Sequence, residues 1–221
     1  FGTVAHNKYE QWWQRPSRPC PATTILSSRH FPEDWNNNFI NFNVISIQGI
    51  HRVKMEEDGS AIKGTTITYQ REGQEMNTFI ECDPAVVGTF RPICGSTAPD
   101  GSFFFADWSC AIIGHMQHHL RDPNRDHTTG RVYRVTYEGR PLTPVKQIHG
   151  QPITALLDLL KEPEIDVRMR AKIELDKHDS QEVVAATQQW LKQFDAKKME
   201  AAHHLLEALW VHQWHNVVNT D

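Results

Sequence analysis

The chain has 221 residues, of which 39% are hydrophobic and 10% aromatic, enough for a packed core in one domain or two small ones. Its 23 basic and 27 acidic residues give a formal net charge of −4, so no general basic field attracts phosphates and nucleic acid is not an expected partner. No apolar run approaches the ~20 residues of a membrane-spanning helix, so we expect no transmembrane segment in this chain.

Short β-like runs separated by turn residues occupy the chain up to about residue 140. The predicted strands are residues 38–46, 49–56, 102–107 and 130–137, with further strands in "TITYQRE" and "FRPICG". The segment "EDGS" predicts a tight turn with a positive φ at Gly59. Strand, turn and strand at regular spacing are typical of four-stranded propeller blades, and a β-sandwich would show much the same pattern.

The pattern becomes helical after "RPLTPVKQIHGQP", where proline and glycine cluster. Two helices are predicted in "ITALLDLLKEPEIDVRMRAKIELDKH", with a break at "EPEID", a third after an N-cap at Ser180, and a fourth in "KKMEAAHHLLEALWVHQWH". The apolar residues expected to line the second helix are Val167, Met169, Ala171, Ile173 and Leu175. Such paired helices indicate the start of an α-solenoid or a small bundle. The fold class is therefore β then α.

The cysteines are Cys20, Cys82, Cys94 and Cys110, and they form no CxxC or CxxCH pattern. Zinc-ribbon and haem-attachment motifs are therefore absent from the sequence. One or two disulfides would form only in an oxidising compartment. The spacing leaves free thiols and bridges equally open.

The stretch "GHMQHHLRDPNRDHTTGRVYRV" concentrates histidine, arginine and aspartate. His115, His118 and His119 would share one face of a helical turn. With the nearby His127, the residues His115 and His119 are candidate metal ligands, although their spacing matches no tight signature. A second interpretation is contact with a substrate or other ligand through His115, His118 and Arg121.

A polar corner that holds the fold together is the favoured interpretation of the same stretch. In it, arginines would bind the two aspartates of "RDPNRD" and backbone carbonyl groups, around a proline that fixes the turn, and would tie this polar segment to the strand that follows. The arginines are Arg121, Arg125, Arg131 and Arg134, and the aspartates are Asp122 and Asp126.

Two further clusters of side chains could bind a ligand, but packing explains them better. The first cluster is His203, His204, His212 and His215 on the last predicted helix, among leucines and tryptophans. The second is a possible sugar-stacking platform of Tyr9, Trp12, Trp13, Phe31 and Trp35. Cores and sheet interfaces of all-β proteins also use many aromatic residues.

The segments "SSRHFPEDW", "FRPICGSTAPDGSFFFADW", "IIGHMQHHLRDPNRDHTTGRVYRVTYEGRPL" and "HHLLEALWVHQWHNVVN" resemble the large secreted proteins of planctomycetes known as membrane-bound dehydrogenases or haem-binding proteins. The resemblance implies a β-propeller like that of soluble quinoprotein glucose and sorbosone dehydrogenases, followed by HEAT-like repeats and a cytochrome c domain. Residues 1–143 would be the C-terminal blades of the propeller and residues 151–221 HEAT-like helical repeats. The start at Phe1 fits a processed chain or part of a longer, exported or periplasmic protein.

The resemblance also implies where a cofactor would bind. Arg91 and Asp107 match positions that contact pyrroloquinoline quinone or end the strand beside it. A second cofactor arginine is replaced by Thr89, and a cofactor lysine falls near Ile47 and Gln48, which carry no charge. The catalytic base and the calcium ligands would belong to blades before Phe1. Haem c would belong to the parent protein and not to this segment.

Two functions are consistent with these features. The first is a portion of an exported oxidoreductase resembling quinoprotein sugar or alcohol dehydrogenases, inactive alone, that passes electrons to a cytochrome c domain outside this chain. The alternative is a non-catalytic carbohydrate- or protein-binding β-propeller with a helical interaction arm. The uncharged Thr89, Ile47 and Gln48 favour the alternative, because a carboxylate-rich quinone needs cationic partners.

Overall fold

The computed structural model of the protein describes residues 12–13, 20–45, 48–76, 78–81, 88–112 and 122–217. The chain divides into two compact units, Phe1–Leu142 and Thr143–Asp221, which we call the β unit and the helical unit. Antiparallel sheets followed by helices confirm the predicted order of β then α. The described residues show neither a closed barrel nor a propeller.

A four-stranded antiparallel sheet occupies the first part of the β unit. Its strands are β1 (Thr23–Leu26), β2 (Asn38–Asn43), β3 (Gly49–Asp58) and β4 (Ala61–Thr66), in that spatial order. The turn between β3 and β4 contains Gly59 with φ of 62°, as predicted. A two-residue turn suits an antiparallel hairpin, and glycine adopts this left-handed conformation without steric cost.

The remaining strands form a small hairpin and a three-stranded sheet. They are β5 (Tyr69–Arg71), β6 (Gln74–Met76), β7 (Pro92–Thr97), β8 (Phe103–Asp107) and β9 (Arg131–Val135). β8 lies in the centre of its sheet and pairs antiparallel with β7 and β9. The predicted single strand "TITYQRE" is interrupted, because β4 ends at Thr66 and β5 begins at Tyr69.

Both larger sheets contribute to one core in the β unit. The buried apolar residues of this core are Leu26, Phe31, Ile40, Phe42, Ile50, Phe90, Phe103 and Phe105. The pairs Ile40 and Phe42 of β2 and Phe103 and Phe105 of β8 occupy alternate positions, since alternate side chains of a strand point to opposite faces. Phe42 of β2 stacks on Phe103 of β8 with ring centroids 6.3 Å apart, which joins the two sheets.

Gly95 of β7 lies close to side chains of both larger sheets. A Cβ at this position would lie 2.6 Å from the carbonyl oxygen of Phe104 and 2.9 Å from the rings of Phe103 and Phe42. Gly95→Ala is therefore expected to lower the free energy of unfolding by about 1–3 kcal/mol in urea denaturation. Gly88→Ala is the matched control, because nothing lies within 4 Å of the Cβ it would add. Equal stabilities of the two variants would contradict this packing.

The helical unit contains two pairs of helices. They are α1 (Ile153–Asp158), α2 (Ile165–Leu175), α3 (Ser180–Leu191) and α4 (Ala202–Trp214), and a 3-10 turn at Leu159–Lys161 extends α1. α1 packs on α2 and α3, and α3 packs on α4. The predicted break at "EPEID" is confirmed, since Pro163 lies between the 3-10 turn and α2.

The start of α3 differs from the predicted N-cap. Asp179, with extended backbone, accepts hydrogen bonds from the backbone N–H groups of Gln181 and Glu182 and is the true N-cap. Ser180 is the first helical residue, and its hydroxyl instead contacts Nδ1 of His215 at 3.0 Å. The prediction of Ser180 as cap was therefore wrong by one residue.

Glu174 of α2 binds the segment of the helical unit that precedes α1. Its carboxylate accepts the backbone N–H of Gly150 at 2.9 Å and the ammonium of Lys177 at 2.6 Å. These two bonds, the Gly150 bond first, lower the pKa of Glu174 from its ordinary value of 4.5 to about 2. The glycine adopts φ of 73°, which favours this residue type at the bend.

The depressed pKa of Glu174 predicts a loss of stability in acid. The ionised carboxylate contributes its full stabilisation above about pH 4.5 and loses it as the pH falls from 4.5 towards 2. Glu174→Gln should be less stable than wild type at pH 7 and lose less stability over this acid window. Thermal unfolding of both proteins at several pH values measures the difference. Parallel pH profiles would show that Glu174 has no such role.

Candidate functional site

One end of the three-stranded sheet brings together the two residues that the resemblance singled out. Arg91 immediately precedes β7, Asp107 ends β8, and Arg131 begins β9. The register places Asp107 opposite Pro92 on one side and opposite Arg131 on the other. Because β8 is the central strand, its last side chain lies between its neighbours. We call Thr89, Arg91, Asp107 and Arg131 the strand-end network.

Asp107 is the centre of the strand-end network. Its side chain is 0% exposed. Its Oδ1 accepts the backbone N–H of Arg91 at 2.6 Å and that of Ser109 at 2.9 Å. Its Oδ2 accepts Nε–H of Arg131 at 2.7 Å. A buried carboxylate is stable only with such partners, so this aspartate is bonded from within the sheet.

The guanidinium of Arg91 is also directed into the protein. Arg91 is 3% exposed, and its Nη1 and Nη2 donate to the carbonyl oxygens of Phe90 at 3.0 Å and Gly88 at 3.3 Å. Thr89, at the position of the second cofactor arginine, accepts a bond from Nη2 of Arg131 at 2.9 Å. A carboxylate-rich quinone needs accessible cations. These contacts therefore do not fit direct binding of the quinone by Arg91, and Asp107 already has its hydrogen bonds.

Most of the His-rich stretch lies outside the described residues. His115, His118, His119 and Arg121 belong to this part, so their predicted contacts remain predictions. Ile47, near the position of the cofactor lysine, also lies outside the described residues. His127 is described and exposed. Within the described ranges, no group of three or more His, Cys, Asp or Glu residues is arranged to hold a metal ion.

The polar corner forms with other partners than those predicted. Arg131 pairs with Asp107, and Nη2 of Arg134 lies 2.5 Å from Oδ2 of Asp100. The prediction that Arg131 and Arg134 bind the aspartates of "RDPNRD" was therefore wrong, and Arg121 lies outside the described residues. The physical reason is strand pairing, because β9 carries both arginines along β8 and towards the turn that precedes it.

Asp126 stabilises the loop that follows it. Its exposed carboxylate accepts the backbone N–H of Thr128 at 2.8 Å and that of Thr129 at 3.2 Å, as well as both threonine hydroxyl groups. These bonds, the backbone bond of Thr128 first, lower the pKa of Asp126. This is the Asx-turn arrangement that aspartate favours in loops.

The aromatic residues of the suggested sugar platform are used in packing. Trp35 stacks on Phe31 at 5.7 Å between ring centroids, and the guanidinium of Arg52 lies 4.3 Å above the Trp35 ring. Trp13 donates its indole N–H to Thr66 of β4 at 2.9 Å. Packing is thus the better interpretation for these residues, while Tyr9 lies outside the described residues.

The histidines of α4 also bond to neighbouring residues, as expected. His212 contacts the carbonyl oxygen of Ala208 through Nδ1 at 2.8 Å, and His204 stacks on Phe194 with ring centroids 4.3 Å apart. Burial lowers the pKa of both His203 and His204. Both imidazoles are therefore neutral at pH 7, and that of His204 packs on Phe194 in the helical unit.

A groove between α2 and α4 was not predicted from the sequence. It has a volume of about 610 Å³ and is lined by Ile165, Arg168, Met169, Lys172, Glu207, Trp210, Gln213 and Trp214. Glu207, 1% exposed, accepts Nε–H of Arg168 at 2.8 Å and the ammonium of Lys172 at 2.7 Å. Mostly apolar lining with a few convergent polar groups is the usual character of a binding site.

The signal for this groove was present in the periodicity of α2. Val167, Ala171 and Leu175 are buried, whereas Met169 and Ile173 are 43% and 47% exposed. The apolar residues predicted to line this helix include both sets, which lie on different sides of it. Separating them at spacings of four would have shown a second, outward apolar stripe.

Two remaining features concern the cysteines and the membrane. Cys20, Cys94 and Cys110 carry free thiols, and Cys82 lies outside the described residues.

In the part of the chain that the structure describes, no helix is both long enough and apolar enough to span a membrane.

Comparison with known proteins yields one family. The profile of a domain of unknown function, DUF7133, matches residues 6–139. Comparison with curated proteins and with solved structures gave no match. The strand-end network therefore lies within the matched region, and the α2–α4 groove lies outside it.

Proposed function

This chain belongs to the DUF7133 family, a domain of unknown function, and we propose that it is a non-catalytic part of an exported oxidoreductase. The whole protein would resemble quinoprotein sugar and alcohol dehydrogenases and act in the periplasm or outside the cell. In it, a sugar or alcohol would be oxidised and electrons would pass to a cytochrome c domain outside this chain. The β unit would have a structural role, and the helical unit would be an interaction arm.

One observation carries this proposal. Arg91 and Asp107, which the resemblance places near the cofactor, are in direct contact where β7 begins and β8 ends, since the backbone N–H of Arg91 donates to Oδ1 of Asp107 at 2.6 Å. The Arg91 guanidinium bonds to backbone carbonyl groups just before β7, and the Asp107 carboxylate bonds to backbone N–H groups and to Arg131. These internal bonds favour support of a neighbouring site over contact with its cofactor. Pyrroloquinoline quinone with calcium would then be held by residues of other parts of the protein.

Dye reduction tests the oxidoreductase proposal. The protein purified from its source, supplied with pyrroloquinoline quinone and calcium, should reduce a redox dye when a sugar or alcohol is added. The chain of 221 residues produced alone should not. Absence of substrate-dependent reduction by the source protein, across a panel of sugars and alcohols, would contradict the proposal.

A second candidate function is a binding protein without redox chemistry. The groove between α2 and α4 favours it, because exposed indoles beside a buried charge cluster are suited to contact with a partner. This candidate predicts that the chain binds saccharides or a protein partner without dependence on quinone. Calorimetric titration of the chain with oligosaccharides tests whether it binds carbohydrate.

A further inference from the structure

We propose that the α2–α4 groove binds an acidic amphipathic helix of a partner protein. This inference rests on the proposed role of the helical unit as an interaction arm. It adds the chemistry of the partner, which must present apolar side chains along one stripe and carboxylates beside them.

The walls of the groove are apolar side chains that face solvent. Met169 of α2 is 43% exposed, and Trp210 and Trp214 of α4 are 38% and 39% exposed. Tryptophan and methionine are enriched in protein interfaces, where they bury large areas and adapt to the partner. The exposed apolar area of these three side chains is unfavourable in water by its transfer free energy. A partner that covers this area gains that free energy on binding.

The floor of the groove has an excess of positive charge. Arg168 and Lys172 share the single carboxylate of Glu207, and no other acidic residue lines the groove among the described residues. The ammonium of Lys172 donates one bond to Glu207 and lies 4.8 Å from the centroid of the Trp210 ring. An ammonium has three N–H donors, so a carboxylate of the partner can bind Lys172 while an apolar group beside it covers the indole.

His203 adds no charge to the floor of the groove at neutral pH. Its Nε2 lies 3.7 Å from Oε1 of Glu207, and burial is the main cause that lowers its pKa. The imidazole is therefore neutral at pH 7 and does not compensate the carboxylate of Glu207. The cations of the floor remain in excess of the anion by one charge.

The shape of the exposed surface favours a helix over a compact small molecule. Ile173 continues the stripe of Met169 on α2, and Leu206 precedes Trp210 and Trp214 at spacings of four on α4. Leu206 and Trp214 are separated by about 12 Å along the helix axis, at 1.5 Å per residue. This length corresponds to about two turns of a bound helix, and helix-in-groove recognition uses anchors at these spacings.

Peptide binding to the full chain tests the proposal. The probes are three fluorescein-labelled peptides of about 18 residues, or five helical turns. The first has leucines at helical spacing with glutamates at the flanking positions, the second replaces each glutamate with lysine, and the third has the composition of the first with its leucines dispersed. Fluorescence anisotropy should show that the first peptide binds at least about tenfold more tightly than either of the others. Its affinity should fall as salt is raised from about 0.05 to 0.5 M.

A matched pair of variants locates the binding. Met169→Glu places a negative charge in the groove and should weaken binding of the acidic peptide by at least about tenfold. Leu209→Glu is the control, since Leu209 is 58% exposed on α4 but does not line the groove. It should leave the affinity within about twofold. Circular dichroism and thermal unfolding verify that both variants are folded.

Three results would each contradict a different part of the proposal. Equal binding of the acidic and basic peptides would overturn the acidic partner but leave the interaction arm. Absence of binding by all three peptides would contradict the interaction arm itself, whereas the oxidoreductase proposal depends on dye reduction. Displacement of the acidic peptide by decanoate at lower concentration than by unlabelled peptide would reassign the groove to a small carboxylate ligand.

Discussion

Replacing Asp107 with alanine is expected to lower the free energy of unfolding of the β unit by about 3–5 kcal/mol. The change removes the acceptor of three hydrogen bonds, from the backbone of Arg91 and Ser109 and from Nε of Arg131. It leaves the Arg131 guanidinium without its carboxylate and two backbone N–H groups without an acceptor. Urea denaturation of the full chain, followed by circular dichroism, measures the loss.

An exposed ion pair of the same unit is the control for Asp107. Lys54 and Glu56 lie on β3 with side chains 53% and 48% exposed, so Glu56→Ala should leave stability unchanged within error. If Asp107→Ala were as stable as Glu56→Ala, the strand-end network would not be structural. Asp107 would then be free to bind a cofactor.

The second large effect is expected in the helical unit. Glu207→Ala should lower its free energy of unfolding by about 3–5 kcal/mol, because Arg168 and Lys172 lose their shared carboxylate. Their side chains are only 13% and 9% exposed, so water compensates little for the loss. Thermal and urea unfolding of the full chain measure the effect.

Glu200→Ala is the matched control for Glu207. Glu200 is exposed in the turn before α4, and its removal should change stability little. If Glu207→Ala unfolded at the same urea concentration as this control, the two cations would be hydrated in the native state. The charged floor of the α2–α4 groove would then need another explanation.

Local patterns of the sequence predicted the elements of the β unit well. Alternation of apolar residues predicted β2, β3, β8 and β9, and "EDGS" predicted the turn at Gly59. These signals are local, since a strand and its hairpin turn depend on neighbouring residues. The break before α2 followed in the same way from Pro163, which cannot continue a helix.

The strand-end network shows why the site was harder to predict. Arg131 lies 24 positions after Asp107, and Thr89 lies 42 positions before Arg131. The pairing register that joins them depends on the core of both sheets and not on the local sequence. Nearby aspartates such as Asp126 were therefore assigned as partners, although Asp126 bonds the loop that follows it.

The α2–α4 groove had a sequence signal that was interpreted too simply. Five apolar residues were predicted to line α2 without being divided between faces, although residues at a spacing of two cannot all lie on one side of a helix. The burial of Val167 and the exposure of Met169 separate the two faces. Glu207 could not be recognised as the partner of Arg168, since their contact spans 39 positions.

The size and haem content of the native protein test the proposed function most directly. A denaturing gel of source material, probed with an antibody raised against this chain and stained for haem, gives both. We expect one haem-positive band well above the 25.5 kDa of the chain. A haem-negative band near 25.5 kDa would contradict the oxidoreductase proposal and favour the binding function alone.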